Sequence, residues 1–333
     1  MGVMEMTILK GREGHARVVV MTVLDDEFEA VQRELEADFE VNQTSTYSPI
    51  SSEEAKGDGE FPVYPFIVAQ TADRGTDAAG ELPKYLYELY APEIFIVVGI
   101  AGGVQREKIE IRKKGGKRQI GWVGPNPGDV VVAKFVHFYD YAKNIPSGRY
   151  LRYFAIDHPC NSLIWQHARA VKRDDKWQQR VADKRPGASK SAKAAKCWEE
   201  EIVVTNELAG NPSSAQQIDM LSKFDNAMAV EMESIGIARA IHSLRKTVHY
   251  DPLWMCIRGI SDVVYVGTPN LTAEPDNNLQ RKKWKSYASS VAASFARSVV
   301  ERILRDARPG VAGDAGAPRW TFSGGSSNEH ESA

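Results

Sequence analysis

The chain is poor in cysteine. Cys160, Cys197 and Cys256 are its only three in 333 residues, and none forms a Cys-x-x-Cys pair. That argues against a zinc site or a disulfide framework and fits a reducing compartment. It has no apolar run long enough to span a bilayer. An excess of charge is also missing: 42 Lys and Arg against 44 Asp and Glu leave a formal net charge of -2. The global balance therefore points to neither a nucleic acid nor a membrane as partner. Met1 to Gly14 are polar and mixed in charge, without the apolar stretch of a secretory signal, so a cytoplasmic protein is expected. What is present is an ordinary globular mix, 43% hydrophobic and 26% charged. The length suffices for one large α/β domain or two small ones.

Short apolar runs alternate with amphipathic stretches. Ala16–Leu24, Phe61–Ala69, Glu93–Val98, Asp129–His137, Glu201–Thr205 and Trp254–Ile260 read as strands. Asp25–Glu36, Asp77–Tyr90, Glu233–Leu244 and Trp284–Ala307 read as helices. Gly99–Gly103 reads as a turn closing the Glu93–Val98 strand. The alternation predicts a single α/β domain over about residues 15–307, a central mixed twisted sheet flanked by helices. Residues 1–14 form an N-terminal extension. The Gly-, Ser- and Pro-rich stretch 308–333 reads as a disordered tail. Two segments look like insertions. Residues 105–127 suggest a basic β-hairpin, with Lys108–Arg112 and Arg118–Val123 flanking Gly115-Gly116. Residues 172–197, rich in Lys, Arg and Ala, suggest a solvated helix and loop.

In such a sheet ligands sit beyond the carboxyl ends of the strands, and four motifs fall there. Asp25-Asp26-Glu27 follows the first strand; alone, it also suits a helix start, where acids favour the macrodipole. Gly99-Ile100-Ala101-Gly102-Gly103 permits close approach of backbone to a ligand, and it lacks the pattern of a dinucleotide fingerprint. Glu231-Met232-Glu233 abuts a buried helix, where two acids are costly without partners. A vicinal diol suits Glu233, since a carboxylate can accept two hydroxyl hydrogen bonds. Arg258-Gly259-Ile260-Ser261-Asp262 ends the last apolar strand. A carboxyl partly desolvated at that edge suits a proton donor; a helix cap or an Arg258–Asp262 salt bridge is the structural alternative.

Together, in order and spacing, these motifs resemble the 5′-methylthioadenosine/S-adenosylhomocysteine nucleosidases and their relatives in the nucleoside phosphorylase superfamily. The resemblance runs from about Ala16 to about Ala307, apart from the two insertions, and Gly128-Asp129-Val130-Val131-Val132 adds to it. It implies a nucleoside phosphorylase-like fold and cleavage of the N-glycosidic bond of a purine, chiefly adenine, nucleoside or nucleotide. It implies no metal, no cofactor, and a homo-oligomer, dimer or hexamer. By the resemblance, Asp262 protonates the purine N7 and Glu27 positions the attacking water. Glu233 binds the ribose hydroxyls and Met232 packs on the sugar, with Glu231 beside them. Arg258 and Ser261 support the acid and water network. Ile100, Ala101 and Gly102 line the substrate, and Thr205, Asn206 and Leu208 fall where the family contacts the base. Ile100 replaces a small polar residue and Leu208 an aromatic one, so stacking is expected from elsewhere, with Tyr265 one option.

Phosphorylases of the superfamily carry an arginine after the first strand. Asp25-Asp26-Glu27 would instead repel a phosphate dianion by several kcal/mol, on the order expected for like charges in contact at intermediate dielectric, so hydrolysis is favoured over phosphorolysis. Arg112, Lys113, Lys114, Lys117 and Arg118 on the hairpin could hold the phosphates of a nucleotide such as AMP or ATP, or form only a solvated tip. A non-catalytic nucleotide sensor and a partner-regulated, nucleotide-depleting stress or antiviral effector are the alternatives of other classes. Nucleic-acid binding is disfavoured, since Asp174, Asp175 and Asp183 interrupt the basic 172–197 segment.

Overall fold

The computed structural model describes residues 14–37, 39–42, 46–48, 63–111, 118–153, 162–174, 176–187, 194–207, 210–245, 250–268 and 276–305. In chain order the elements are β1 (His15–Thr22), α1 (Asp25–Leu35), β2 (Phe39–Asn42), β3 (Thr46–Ser48), β4 (Val63–Gln70), α2 (Thr76–Tyr90), β5 (Ile94–Ile111) and β6 (Arg118–Val123). There follow β7 (Val130–Phe138), β8 (Ala142–Ile145), β9 (Gly148–Leu151), α3 (Ser162–Asp174), a 3-10 turn (Lys176–Arg180) and β10 (Cys197–Val204). Last come α4 (Ala215–Ser222), β11 (Ala227–Glu231), α5 (Ser234–Leu244), β12 (Leu253–Val266) and α6 (Asn277–Arg305).

The main sheet runs β11-β10-β7-β12-β5-β1-β4-β3-β2. Its inner strands bury both faces, which is why they read as unbroken apolar runs. Val18 and Val20 point into one core with Ile96, Val132, Ile257 and the inner face of α6, while Val19 and Met21 point into another with Phe95, Val131, Cys256 and α5. The pairing is mixed. β1, β5 and β12 run parallel, and β7 meets β12 antiparallel. β11 also pairs β5 antiparallel, Ala229 with Gly103 and Val230 with Gly102. That extra pairing closes β5, β12, β7, β10 and β11 into a ring, and Glu231 at the end of β11 thereby faces the middle of β5.

The expected turn at Gly99–Gly103 is instead the middle of β5, an 18-residue strand that runs on to Ile111. Glycines here admit the side chains of other elements rather than reverse the chain. β12 likewise continues four residues beyond Asp262, past an irregularity between Ile260 and Asp262. β5 and β6 pair as a hairpin from Arg106–Val123 to Ile111–Arg118. Arg112, Lys113, Lys114 and Lys117 lie outside the described residues. The described part of the 172–197 segment, read as a solvated helix and loop, is anchored to α6. Trp177 is buried edge-on against Phe295 at 5.2 Å, and Arg180 pairs with Glu301 at 2.7 Å. α6 begins seven residues earlier than its apolar periodicity, because Asn277–Lys283 is polar. Residues 1–13, Leu208 and the 308–333 tail lie outside the described residues. Among the described residues no helix is long and apolar enough to cross a membrane.

α5 is set against α2 by a close backbone approach at two glycines: a Cβ at Gly80 would stand 3.2 Å from the Gly236 carbonyl, and one at Gly236 would overlap that of Thr76. Because Glu233 is the N-cap of α5, this contact fixes the height of the acid pair over the sheet. Gly236→Ala should destabilise the fold by about 1–3 kcal/mol, as overpacking does. Urea denaturation measures it, and an unchanged midpoint would refute the tight α2–α5 contact.

Candidate active site

Arg258 on β12 has no exposed surface. A buried guanidinium must be compensated, and the compensation comes from β11 and the turn after it. Nη2 donates to Glu231 Oε2 at 2.5 Å and to Ser234 Oγ at 2.9 Å, and lies 3.9 Å from Glu233 Oε2. The Glu231 carboxylate also accepts the backbone N–H of Glu233 and of Ser234, each at 3.1 Å. Both its oxygens are thus engaged within the protein. Gly99, which pairs with Arg258 across the strands, leaves room for the guanidinium: a Cβ there would collide with Nη1 and stand 2.8 Å from Glu27 Oε1. Among the described residues Nη1 and Nε find no hydrogen-bond acceptor.

Glu27 enters from the other side. It sits in the first turn of α1, and its Oε2 accepts the N–H of Val23 at 3.0 Å and of Leu24 at 2.9 Å, capping the helix start. Its Oε1 accepts only Ile100 N, at 2.8 Å from β5. One oxygen is filled by two backbone donors; the other retains a lone pair beside Arg258 Nη1, over Gly99.

Three carboxylates therefore surround one cation. Burial pushes the Glu27 carboxyl up, against the pull of Arg258 and the three backbone donors. Burial, then the like charge of Glu231, pushes Glu233 up as well, while Arg258 pulls it back. Burial alone would loosen the Arg258 proton, but Glu231 foremost, with Glu233 and Glu27, holds it more firmly than in an ordinary arginine. The cluster carries two more negative than positive charges, and a proton on Glu233 offsets one of them.

Asp262 forms a second group. Its Oδ1 accepts Ser261 Oγ at 2.7 Å and lies 3.6 Å from Arg281 Nε, and its Oδ2 accepts Asn277 Nδ2 at 3.0 Å. The Arg258–Asp262 salt bridge open at the sequence level does not form. Four residues of strand hold the two about 13 Å apart, and Arg258 turns to Glu231 instead. Oδ2 of Asp262 lies 3.4 Å from where a Gly102 Cβ would be, so the bare Gly102 leaves that oxygen approachable. Gly99 and Gly102 are three residues apart on β5, about 10 Å, and the two acid groups stand over them with Ile100 and Ala101 between.

A third group joins them at the rim. Thr205 Oγ1 lies 3.1 Å from Asp140, which also accepts Asn206 N at 2.6 Å. Asn206 Oδ1 accepts the Thr76 hydroxyl at 2.7 Å, and Thr76 shares that hydroxyl with the Met232 carbonyl at 2.9 Å. A cavity of about 160 Å³ opens beside Thr205, lined also by Tyr139, Asp140, Arg149, Glu207 and Gln217. Tyr265 packs on Trp122, ring centroids 4.7 Å apart. The structure places Glu27, Glu231, Glu233 and Arg258 in one cluster and Ser261 and Asp262 in a second, farther along β12, with Ile100, Ala101 and Gly102 on β5 between them and Met232, Thr205 and Asn206 at the rim. Leu208 and the tip cations of the hairpin lie outside the described residues, as does any account of the Arg118 side chain. Sequence reasoning missed Thr76, Asp140, Asn277 and Arg281. Each reaches the site from a loop or helix start that carries no motif. Among the described residues no cluster of three His, Cys, Asp or Glu could hold a metal ion.

No protein-family model matches the chain, and no curated protein does. Solved structures do match. Futalosine hydrolase of Helicobacter pylori is 14% identical with a TM-score of 0.56, covering 86% of this chain and 98% of its own. The 5′-methylthioadenosine/S-adenosylhomocysteine nucleosidase of Neisseria meningitidis, in complex with methylthio-immucillin-A, is 20% identical with a TM-score of 0.53, covering 85% and 97%. The Helicobacter pylori nucleosidase of the same name, with butyl-thio-DADMe-immucillin-A, is 14% identical with a TM-score of 0.56, covering 87% and 99%. At these identities the likeness establishes the fold: the chain has the mixed α/β architecture of these nucleosidases over most of its length.

The raised Glu233 carboxyl has a consequence for stability. The folded state holds that proton more tightly than the unfolded chain, so its contribution is present at low pH and is lost as pH rises through the folded value. Glu233→Gln removes the loss. Its melting temperature should match wild type near about pH 5 and exceed it increasingly toward about pH 9. A difference independent of pH would contradict the charge imbalance.

Proposed function

We propose that the protein hydrolyses the N-glycosidic bond of a purine nucleoside or nucleotide, and that one catalytic domain over about residues 15–307 carries the activity. The observation that supports it most is the charge deficit: Glu27, Glu231 and Glu233 share one buried guanidinium, and Asp262 is a separate acid four residues along the same strand. A site short of a positive charge suits a reaction that creates one, and the ribosyl group becomes cationic as the base departs. In the empty site a proton offsets part of the deficit; in the transition state the sugar does.

The proposed steps are these. Asp262 gives a proton to N7 from Oδ2, the oxygen over Gly102. The C1′–N9 bond breaks and its electron pair leaves with the base. Glu233 holds the ribose hydroxyls and stabilises the developing charge. Water between Glu27 Oε1 and Arg258 Nη1 bonds through its oxygen to C1′ and passes its proton to Glu27, whose burial favours that uptake. The products are free base and ribose; solvent returns the proton from Glu27 to Asp262. Glu231 keeps Arg258 in place. The acid run Asp25-Asp26-Glu27 favours neutral water over phosphate as nucleophile. The comparison structures carrying purine-analogue inhibitors support a small purine substrate.

Adenosine, methylthioadenosine, AMP and ATP form the test panel. At least one should release free base without phosphate, and in ¹⁸O-labelled water the sugar C1 should carry the label. Asp262→Asn should lower the rate by about 10²–10⁴, the usual loss of a general acid. A ribose 1-phosphate product would replace hydrolysis by phosphorolysis, and a full rate in the Asn variant would remove Asp262 as the acid.

A further inference from the structure

Asn277 is the first residue of α6 and is 8% exposed. It belongs to none of the motifs visible in the sequence. Its Nδ2 donates to Oδ2 of Asp262 at 3.0 Å. The carbonyl end, Oδ1, is buried, and among the described residues it finds no donor. A buried acceptor left unpaired is unfavourable and sensitive to whatever donor is brought to it.

The position of this acceptor is well defined. Asn277 N donates to the Gly210 carbonyl at 2.9 Å, and one turn later Gln280 Oε1 accepts Val263 N, the residue after Asp262, at 2.9 Å. The start of α6 is thereby tied both to the loop after Asn206 and to β12. On Asp262, Oδ1 is occupied by Ser261 with Arg281 nearby, which leaves the Oδ2 edge for a base. A purine whose N7 meets Oδ2 carries its 6-substituent next to N7 on the same edge, and Asn277 touches that same Oδ2.

We propose that Asn277 is a specificity-determining residue: its Oδ1 accepts a hydrogen bond from the exocyclic 6-amino group of the purine while Asp262 serves N7. This rests on the nucleosidase reading above and deepens it by naming the base. A 6-amino group supplies the missing donor. A 6-oxo group sets an oxygen against an oxygen, and a 6-hydrogen leaves Oδ1 as it was. A site built to pair a polar group rejects the analogue that lacks it far better than a site that merely fits a shape.

The test compares adenosine, purine riboside and inosine, together with their 5′-monophosphates, for base release, and adenine, purine and hypoxanthine for binding by calorimetry. Wild-type protein should prefer the 6-amino member of each set at least tenfold in kcat/KM and in Kd. In Asn277→Ala the 6-amino preference should fall severalfold, whatever happens to the absolute rate. Asn277→Ala also removes a donor to Asp262, and a merely positioning role would lower all three substrates by one factor and leave the ratio unchanged. That result overturns the proposal. So does a wild-type protein that accepts purine riboside as well as adenosine, a measurement that needs no variant to fold. Failure of the nucleosidase reading looks different: no base is released from any of the six and no free base binds, and both conclusions then fall together.

Discussion

A guanidinium without exposed surface constrains everything around it. Arg258 cannot be left uncompensated in the interior, and the nearest acid on its own strand, Asp262, is too far along β12 to serve. Glu231 must therefore be brought to it, which requires β11 to end opposite the middle of β5. The ring closure through Ala229–Gly103 and Val230–Gly102 achieves this. Gly99 must lack a side chain so that the guanidinium can lie across β5. Ser234 must begin α5 within reach of Nη2, and Glu233 then falls beside the pair with no cation of its own.

The excess acid is what gives the arrangement a chemical use. Glu27 is satisfied by backbone donors on one oxygen and is partly open on the other, while Glu233 is raised by burial and by Glu231. The deficit costs stability in the empty protein, and under the proposed function it would become complementary to a cationic sugar. Asp262 stands apart on a different set of partners, Ser261, Asn277 and Arg281.

Much of this was legible in the residues themselves. Two-face burial leaves long apolar runs, so β1, β7 and the first halves of β5 and β12 announce themselves; Glu27 follows β1, Glu231 ends β11 with Glu233 two residues on, and Asp262 lies within β12. What failed to show was anything that depends on a distant partner. Gly99–Gly103 reads as a turn until Arg258, Glu27 and Ile260 are seen occupying the space its missing side chains leave. The partner of Arg258 is a choice between an acid four residues away and one twenty-seven away, and only strand geometry decides it. Trp177 sits among lysines and arginines, and its burial against Phe295 has no local signal. Asn277 is one polar residue in a polar stretch, and its contact with Asp262 comes entirely from where α6 begins.

The dependence on Arg258 and Glu231 is tested most directly by a double-mutant cycle on folding stability, with Arg258→Met, Glu231→Gln and the pair. Each single change leaves a buried group without its partner and should cost about 3–5 kcal/mol. The double variant should recover part of the loss, with a coupling of about 1–3 kcal/mol. Losses that simply add would mean that the two residues are stabilised separately, and the account built on their mutual compensation would be wrong.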